Sequence, residues 1–178
     1  LRVIPSSGEK IPAVGMGSWL TFDVGDSQYE RKVRVNVLKA FFEQGGELID
    51  SSPMYGSSQA TIGHCLNELE LVPSLFAATK VWTPGRWLGV RQMEQAERLW
   101  RVSSFDLLQV HNMLAWGSHL ATLKKWKGER RVRYVGVTTS HGRRHDELIR
   151  IMRNEPIDFV QLTYNIVDRE AEHKVLPL

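Results

Sequence analysis

A chain of 178 residues, 42% apolar and 24% charged, has the make-up of a folded domain with a sizeable core, which excludes a disordered or fibrous chain. Its net charge of +3 is mild, and the basic stretches "GERRVRY" and "SHGRRHDE" carry interleaved acids without a stacking pattern of aromatics, which argues against a nucleic-acid partner. No apolar run is long enough to span a bilayer, and the single cysteine, Cys65, rules out an intrachain disulfide and fits a reducing compartment. Because the sequence starts at Leu1 rather than Met, cytoplasm is a default that leaves room for an upstream targeting segment.

Taken in order, Ala13 to Gly17 ("AVGMG") reads as a short strand. The next segment, "SQYERKVRVNVLKAFFEQGG", puts Val33, Val37, Leu38, Phe41 and Phe42 at helical spacing and stops at Gly45-Gly46. "ELID" is the second strand. A helix follows, capped by Ser57 or Ser58 and running to Leu69. "LFAATK" (Leu75 to Lys80) is the third strand, and "TPGRWLG" reads as a loop. "VRQMEQAERLW" is helical, with Val90, Met93, Ala96, Glu97 and Trp100 three or four apart. "FDLLQVH" (Phe105 to His111), a helix ended by Gly128, "VRYVGVT" (Val132 to Thr138), a helix near His145 to Arg153, and "DFVQLTYN" (Asp158 to Asn165) complete the series.

These strands are near-continuous apolar runs, each separated from the next by a helix, which is the pattern of a parallel sheet covered by helices. A doubly wound nucleotide binder would show G-x-G-x-x-G after its first strand, but Gly15-Met16-Gly17 is followed by Ser18, Trp19 and Leu20. There is no P-loop either. A (β/α)8 TIM barrel is therefore expected, as a single domain over residues 1–178. Six strands cover only about the first six βα units, and an eight-stranded barrel typically needs roughly 250 residues. The expectation is a barrel incomplete at its C-terminal side.

Polar residues fall at the strand ends. Asp50 ends the second strand, Lys80 the third and His111 the fourth, spaced by roughly 30 residues, one βα unit each. Thr138 closes the fifth and Gln161 lies on the sixth. The carboxyl ends of barrel strands converge on one face, and that face holds the active site. An acid, an amine and an imidazole should thus meet, with Tyr55 of "PMYG" above them. Singly, Asp50 could cap a turn, Lys80 could be a solvated strand end, His111 a hydrogen-bonded loop residue and Tyr55 a rim aromatic. The constellation carries the argument.

The residue types suggest a chemistry. A free phenol titrates near pH ~10, and an adjacent ammonium would lower that value. Asp50 would supply the counter-charge that a buried Lys80 needs. An imidazole can donate to a carbonyl oxygen or assist proton transfer. The group is an acid/base poised over a carbonyl, and it lacks an electron source, which a bound cofactor would supply.

"GELID" with the "SSPMYGSS" that continues it, "ATKVW" and "LLQVHN" resemble three signature segments of the aldo-keto reductase family, and "IPSSGEKIPAVGMGSW" is similar to its opening hairpin and first barrel strand. The resemblance spans essentially the whole chain and points to the bacterial-type branch. It implies that Asp50, Tyr55, Lys80 and His111 form the catalytic tetrad, with Tyr55 the proton donor. It also implies NADPH as the hydride donor, NADH remaining open, and a small-molecule carbonyl substrate. The resemblance implies Gly17, Ser18, Trp19, Asp50, Thr138, Thr139 and Gln161 as cofactor-binding residues, Gln161 holding the nicotinamide carboxamide. "GVTT" stands where many members read Gly-Val-Ser-Asn, so Thr138 keeps a hydroxyl while Thr139 lacks the amide of Asn. Trp19, Met54 and Trp82 adjoin the tetrad and, with His111, are the expected lining of the substrate pocket; Trp116 is a weaker candidate.

Other features read as structural. His141 and His145 in "HGRRH" have no third ligand placed near them and read as solvated loop residues, so no metal is expected. Cys65 reads as core. Two other functions stay open: a Schiff-base aldolase using Lys80, and a non-catalytic NADPH-binding regulatory subunit. A Ser hydrolase is disfavoured because no G-x-S-x-G elbow exists. Oligomeric state cannot be read from the sequence.

Overall fold

A computed structural model describes residues 1–70 and 74–178. The chain opens with an antiparallel hairpin, β1 (Arg2–Val3) and β2 (Lys10–Ile11), whose turn uses Gly8 at φ +76°, a conformation that side chains disfavour. Six parallel strands follow: β3 (Met16–Gly17), β4 (Leu48–Asp50), β5 (Phe76–Val81), β6 (Phe105–Val110), β7 (Val132–Thr138) and β8 (Phe159–Gln161). Helices α1 (Gln28–Glu43), α2 (Ser58–Glu68), α3 (Arg86–Trp100), α4 (Trp116–Gly128), α5 (His145–Asn154) and α6 (Ala171–Lys174) alternate with them. The strands pair in strict chain order, β3-β4-β5-β6-β7-β8. A doubly wound sheet reverses its strand order at a switch point. Here no reversal occurs, and the sheet is an arc of six units of a (β/α)8 barrel with β3 and β8 at its margins.

Strand parity divides the core into two layers. On β5 to β7, Ala77, Val81, Leu108, Val110, Val135 and Val137 join the cluster beneath the helices, with Leu38, Ile62, Met93 and Leu123. Their neighbours Phe76, Ala78, Leu107 and Tyr134 form a second cluster inside the arc with Ile4 of the hairpin. The hairpin is pinned there, because the Tyr134 hydroxyl lies 2.7 Å from Ser7 Oγ and meets Glu9, which also pairs with Arg133. The side-chain period of two then forces a prediction on each strand. Two residues past Ala78 is Lys80, and past Leu107 come Gln109 and His111. Past Tyr134 come Gly136 and Thr138. The inner face is apolar at the end that the hairpin plugs and polar at the other.

Several boundaries differ from expectation. Helix α3 starts at Arg86, four residues before Val90, because Gly89 is a helical residue rather than loop. Its missing side chain makes room for His119, whose Cε1 would lie 2.4 Å from a Cβ there. Ser57 sits at the N-cap of α2 but does not cap with its side chain. Its hydroxyl instead donates to Asp23 Oδ1 at 2.8 Å and accepts the Gly25 N–H at 2.8 Å. Helix α4 starts at Trp116, ahead of His119, while β3 and β8 are shorter than the runs that suggested them. Cys65 is fully buried in the core. No helix among the described residues is long and apolar enough to cross a membrane.

The contact of α2 with α3 sets a stability test. A Cβ added at buried Gly63 would lie 1.7 Å from the Leu99 carbonyl oxygen, backbone against backbone. Gly63→Ala gains up to about 1 kcal/mol in helix propensity, yet overpacking of this kind typically costs about 1–3 kcal/mol and occasionally more. The variant should show a lower denaturant midpoint. An unchanged or higher midpoint would mean that α2 and α3 do not approach this closely.

Candidate active site

Lys80 occupies the last inward position of β5 and is 1% exposed. Its Nζ donates to Asp50 Oδ2 at 2.5 Å and to the Ser51 carbonyl at 2.8 Å. Burial pulls the Lys80 ammonium below its ordinary pKa, and the Asp50 carboxylate opposes that pull. Asp50, paired in register with Gly17 on one side and Ala78 on the other, also receives the side-chain amides of Gln109 at 3.5 Å and Gln161 at 3.2 Å. The charges form a buried, internally balanced pair with amide donors around the carboxylate.

Tyr55 reaches this pair from the loop between β4 and α2. Its ring centroid lies 5.2 Å from Lys80 Nζ, 5.8 Å from the His111 ring at a right angle, and 6.5 Å from the Trp19 ring. Turn hydrogen bonds from Tyr55 N to Ser52 O and from Ser58 N to Tyr55 O hold the loop. Gly56 is required beside it, because φ is +54° and a Cβ would meet the Asp23 carboxylate at 2.3 Å. The Tyr55 hydroxyl makes no hydrogen bond among the described residues. Its pKa is pushed up to about 12, by burial first and by the Asp50 carboxylate second. This reverses the expectation that Lys80 lowers it. The ammonium is matched by Asp50 at 2.5 Å, so burial and the carboxylate prevail at the phenol.

His111 follows the last residue of β6 and is buried. Its Nδ1 lies 2.7 Å from Ser52 Oγ, which also accepts the Met54 N–H at 3.4 Å. The imidazole pKa is pushed down to about 4, by burial first and then by the Lys80 charge, so the ring is neutral at neutral pH. Where Ser52 donates its hydroxyl to Nδ1, the neutral ring carries its own proton on Nε2. Beyond His111 the backbone turns left-handed at Asn112 and Met113, with φ near +50°. Thr138 Oγ1 accepts the Asn112 N–H at 2.9 Å and steadies that turn.

The remaining residues separate by accessibility. Gly17 ends β3 in the open, and Trp19 is 63% exposed. Ser18 is fully buried, its hydroxyl donating to Ser51 Oγ at 2.8 Å, so it supports the Asp50 loop from behind. Thr138 accepts from Asn112, and among the described residues its own hydroxyl proton has no acceptor. Thr139 donates its hydroxyl to the Arg143 carbonyl at 2.5 Å, and that proton is committed within the chain. Gln161 lies against Asp50. Met54, next to Tyr55 in the chain, and Trp82, two residues past Lys80, are exposed, whereas the Trp116 indole donates to Glu147 at 2.9 Å, toward α5. His141 is exposed on the loop before α5, but His145 is not a solvated loop residue: it is the first residue of that helix and half-buried, with its Nε2 shielded from solvent.

Sequence reasoning missed Ser52 and Gln109. Gln109 was available from parity, two residues before His111 on the same face. Ser52 carried no signal beyond its position between Asp50 and Tyr55, since only folding brings it to His111.

The chain matches the model of the family described as Aldo/keto reductase family over residues 13–178. It is 26% identical over 181 residues to methylglyoxal reductase YeaE of Escherichia coli, covering 99% of this chain and 63% of that one. It is 24% identical over 193 residues to aldo-keto reductase YhdN of Bacillus subtilis, covering 98% and 56%. Among solved structures it superposes with a TM-score of 0.80 on a thermostable aldo-keto reductase in complex with the inhibitor epalrestat, at 26% identity and over 97% and 65% of the two chains. An aldo/keto reductase from Klebsiella pneumoniae in complex with NADP and acetate gives a TM-score of 0.79 at 21% identity, over 96% and 60%. The chain thus spans 56% to 65% of the length of these relatives.

Proposed function

Because the chain belongs to the aldo/keto reductase family, we propose that it reduces the carbonyl of a small aldehyde or ketone to an alcohol, with NADPH as hydride donor and Tyr55 as proton donor. The observation that carries this reading is the Tyr55 phenol, protonated and without a hydrogen-bond partner among the described residues, beside a neutral His111 and over the buried Lys80–Asp50 pair. Tyr55 gives its proton to the carbonyl oxygen as that oxygen gains negative charge. His111 Nε2–H donates a hydrogen bond to the same oxygen. Lys80 then lies close to the phenolate left behind, held in place by Asp50 and the Ser51 carbonyl.

The polar atoms at the mouth fit a nicotinamide. The Thr138 hydroxyl proton has no acceptor among the described residues, and the Gln161 amide has hydrogen-bonding capacity beyond its one bond to Asp50. These two would hold a carboxamide, with Gly17 and Trp19 along the open edge, whereas the Thr139 hydroxyl is already committed. When bound, the cofactor supplies the hydride. The NADP carried by the Klebsiella pneumoniae relative supports a nicotinamide cofactor here. The Schiff-base alternative is disfavoured by the geometry, since a lysine that is 1% exposed and donates to two oxygens presents no lone pair to a substrate.

The test is loss of the reduced nicotinamide's near-ultraviolet absorbance when the purified protein meets NADPH and a panel of aldehydes that includes methylglyoxal. Since the phenol titrates at about 12, it is protonated throughout the neutral range. Carbonyl reduction should therefore be flat between about pH 6 and 9, while the reverse oxidation, which needs the phenolate, should rise with pH across that span. NADPH binding with no turnover of any aldehyde would favour a regulatory subunit. A lysine adduct trapped by borohydride would favour an aldolase.

A further inference from the structure

Trp82 lies one residue past β5 and two beyond Lys80, so continuing the strand's alternation would put its side chain on the face that carries the site. Its backbone is past the sheet ladder, because the last register pair between β5 and β6 is Val81 with Val110. The two polar groups left over are satisfied from a helix. Gln92 of α3 accepts the Trp82 N–H on Oε1 at 2.6 Å and donates Nε2 to the Trp82 carbonyl at 3.1 Å, taking the place of a neighbouring strand. One residue on, the Thr83 carbonyl accepts from His119 Nε2 at 2.7 Å, and His119 is fully buried on α4. It reaches Thr83 because Gly89 leaves the gap between α3 and α4 open. Three backbone polar groups of Trp82 and Thr83 at the rim are thus held by two side chains from two helices.

We propose that Gln92 and His119 are positioning residues that hold Trp82 as a rigid wall of the substrate pocket, and that the wall favours planar aromatic carbonyl substrates over small ones. The proposal rests on the carbonyl-reduction reading. An aromatic aldehyde would lie against Trp82 and the exposed ring of Trp19, gaining stacking contact that depends on where Trp82 sits. A small dicarbonyl reaches Tyr55 and His111 without touching the wall. Neither Gln92 nor His119 touches the tetrad in the contacts described, so displacement of the wall should alter affinity and leave chemistry alone.

Two variants perturb the clamp from opposite sides. Gln92→Leu keeps the side chain's bulk and removes both hydrogen bonds. Gly89→Ala improves the helix propensity of α3, but its Cβ would lie 2.4 Å from His119 Cε1, which drives the imidazole off Thr83. In both, KM for benzaldehyde should rise about tenfold or more, with kcat for both substrates and KM for methylglyoxal within about twofold of the parent. Equal KM shifts for the two aldehydes, or no shift, would overturn the proposal, as would a fall in kcat alone. Hydrogen exchange at the Trp82 amide reads the clamp without turnover: slow in the parent and faster in Gln92→Leu. Fast exchange in the parent overturns the clamp itself. If the parent reduces neither aldehyde, the carbonyl reading and the substrate preference fall together, and amide exchange alone decides the clamp.

Discussion

Tyr55→Phe should lower kcat for carbonyl reduction by about 10²–10⁴-fold, the range that general acid catalysis supplies, while nicotinamide binding persists. The substitution is nearly isosteric. The ring keeps its edge contact with His111 and its tilted contact with Trp19, and Lys80 still lies over its face, so the loop that carries it has no reason to move. Only the hydroxyl goes. Neither ionisable neighbour, His111 or Lys80, can take its place as acid. His111 is neutral, with a pKa of about 4, and its remaining N–H is far too weak an acid to be given up. The Lys80 ammonium is buried and donates to Asp50 and Ser51. Single-turnover kinetics with saturating NADPH, alongside a fluorescence titration of cofactor binding, separates the two effects. Turnover near that of the parent would remove Tyr55 from the role of proton donor.

The split between what the sequence discloses and what it hides follows from the range of the interactions. Asp50, Lys80 and His111 can be placed at one face because a parallel strand has a period of two and a βα unit has a narrow length range. Both rules act within one unit. Parity also accounts for the apolar plug of Phe76, Ala78, Leu107 and Tyr134 at the opposite end. The sign of the Tyr55 shift escapes the sequence because it is a contest among burial, a carboxylate and an ammonium. The spacing along the chain says that these are near one another, not which prevails. Helix α3 begins earlier than its periodicity implies for a similar reason. Gly89 looks like a loop residue until His119, thirty residues on and in another helix, is seen to need its space. Gln92 is legible only as a polar face residue, and its pairing with the Trp82 backbone exists only once α3 lies over the end of β5.

Lys80→Met tests the electrostatic base of the site, and its effects should be large on two axes. Removing the ammonium leaves the Asp50 carboxylate buried and held, among the described residues, by the Gln109 and Gln161 amides at 3.5 and 3.2 Å. Breaking one side of a buried pair in this way costs about 3–5 kcal/mol. The Asp50→Asn/Lys80→Met double variant removes both charges and should recover much of that loss, a coupling that a double-mutant cycle would measure. Catalysis should not recover with it. Without an ammonium by the ring, the phenolate that forms on proton transfer has no neighbouring positive charge, and kcat should stay low in both variants. His111 supplies an independent readout. Its depressed pKa comes from burial first and the Lys80 charge second, so the value should rise from about 4 in Lys80→Met yet stay below that of a solvated imidazole. An imidazole NMR titration measures this directly. Unchanged His111 titration together with unchanged stability would mean that Lys80 does not share the pocket with the groups assigned to it, and the proton-transfer scheme would lose its source of positive charge.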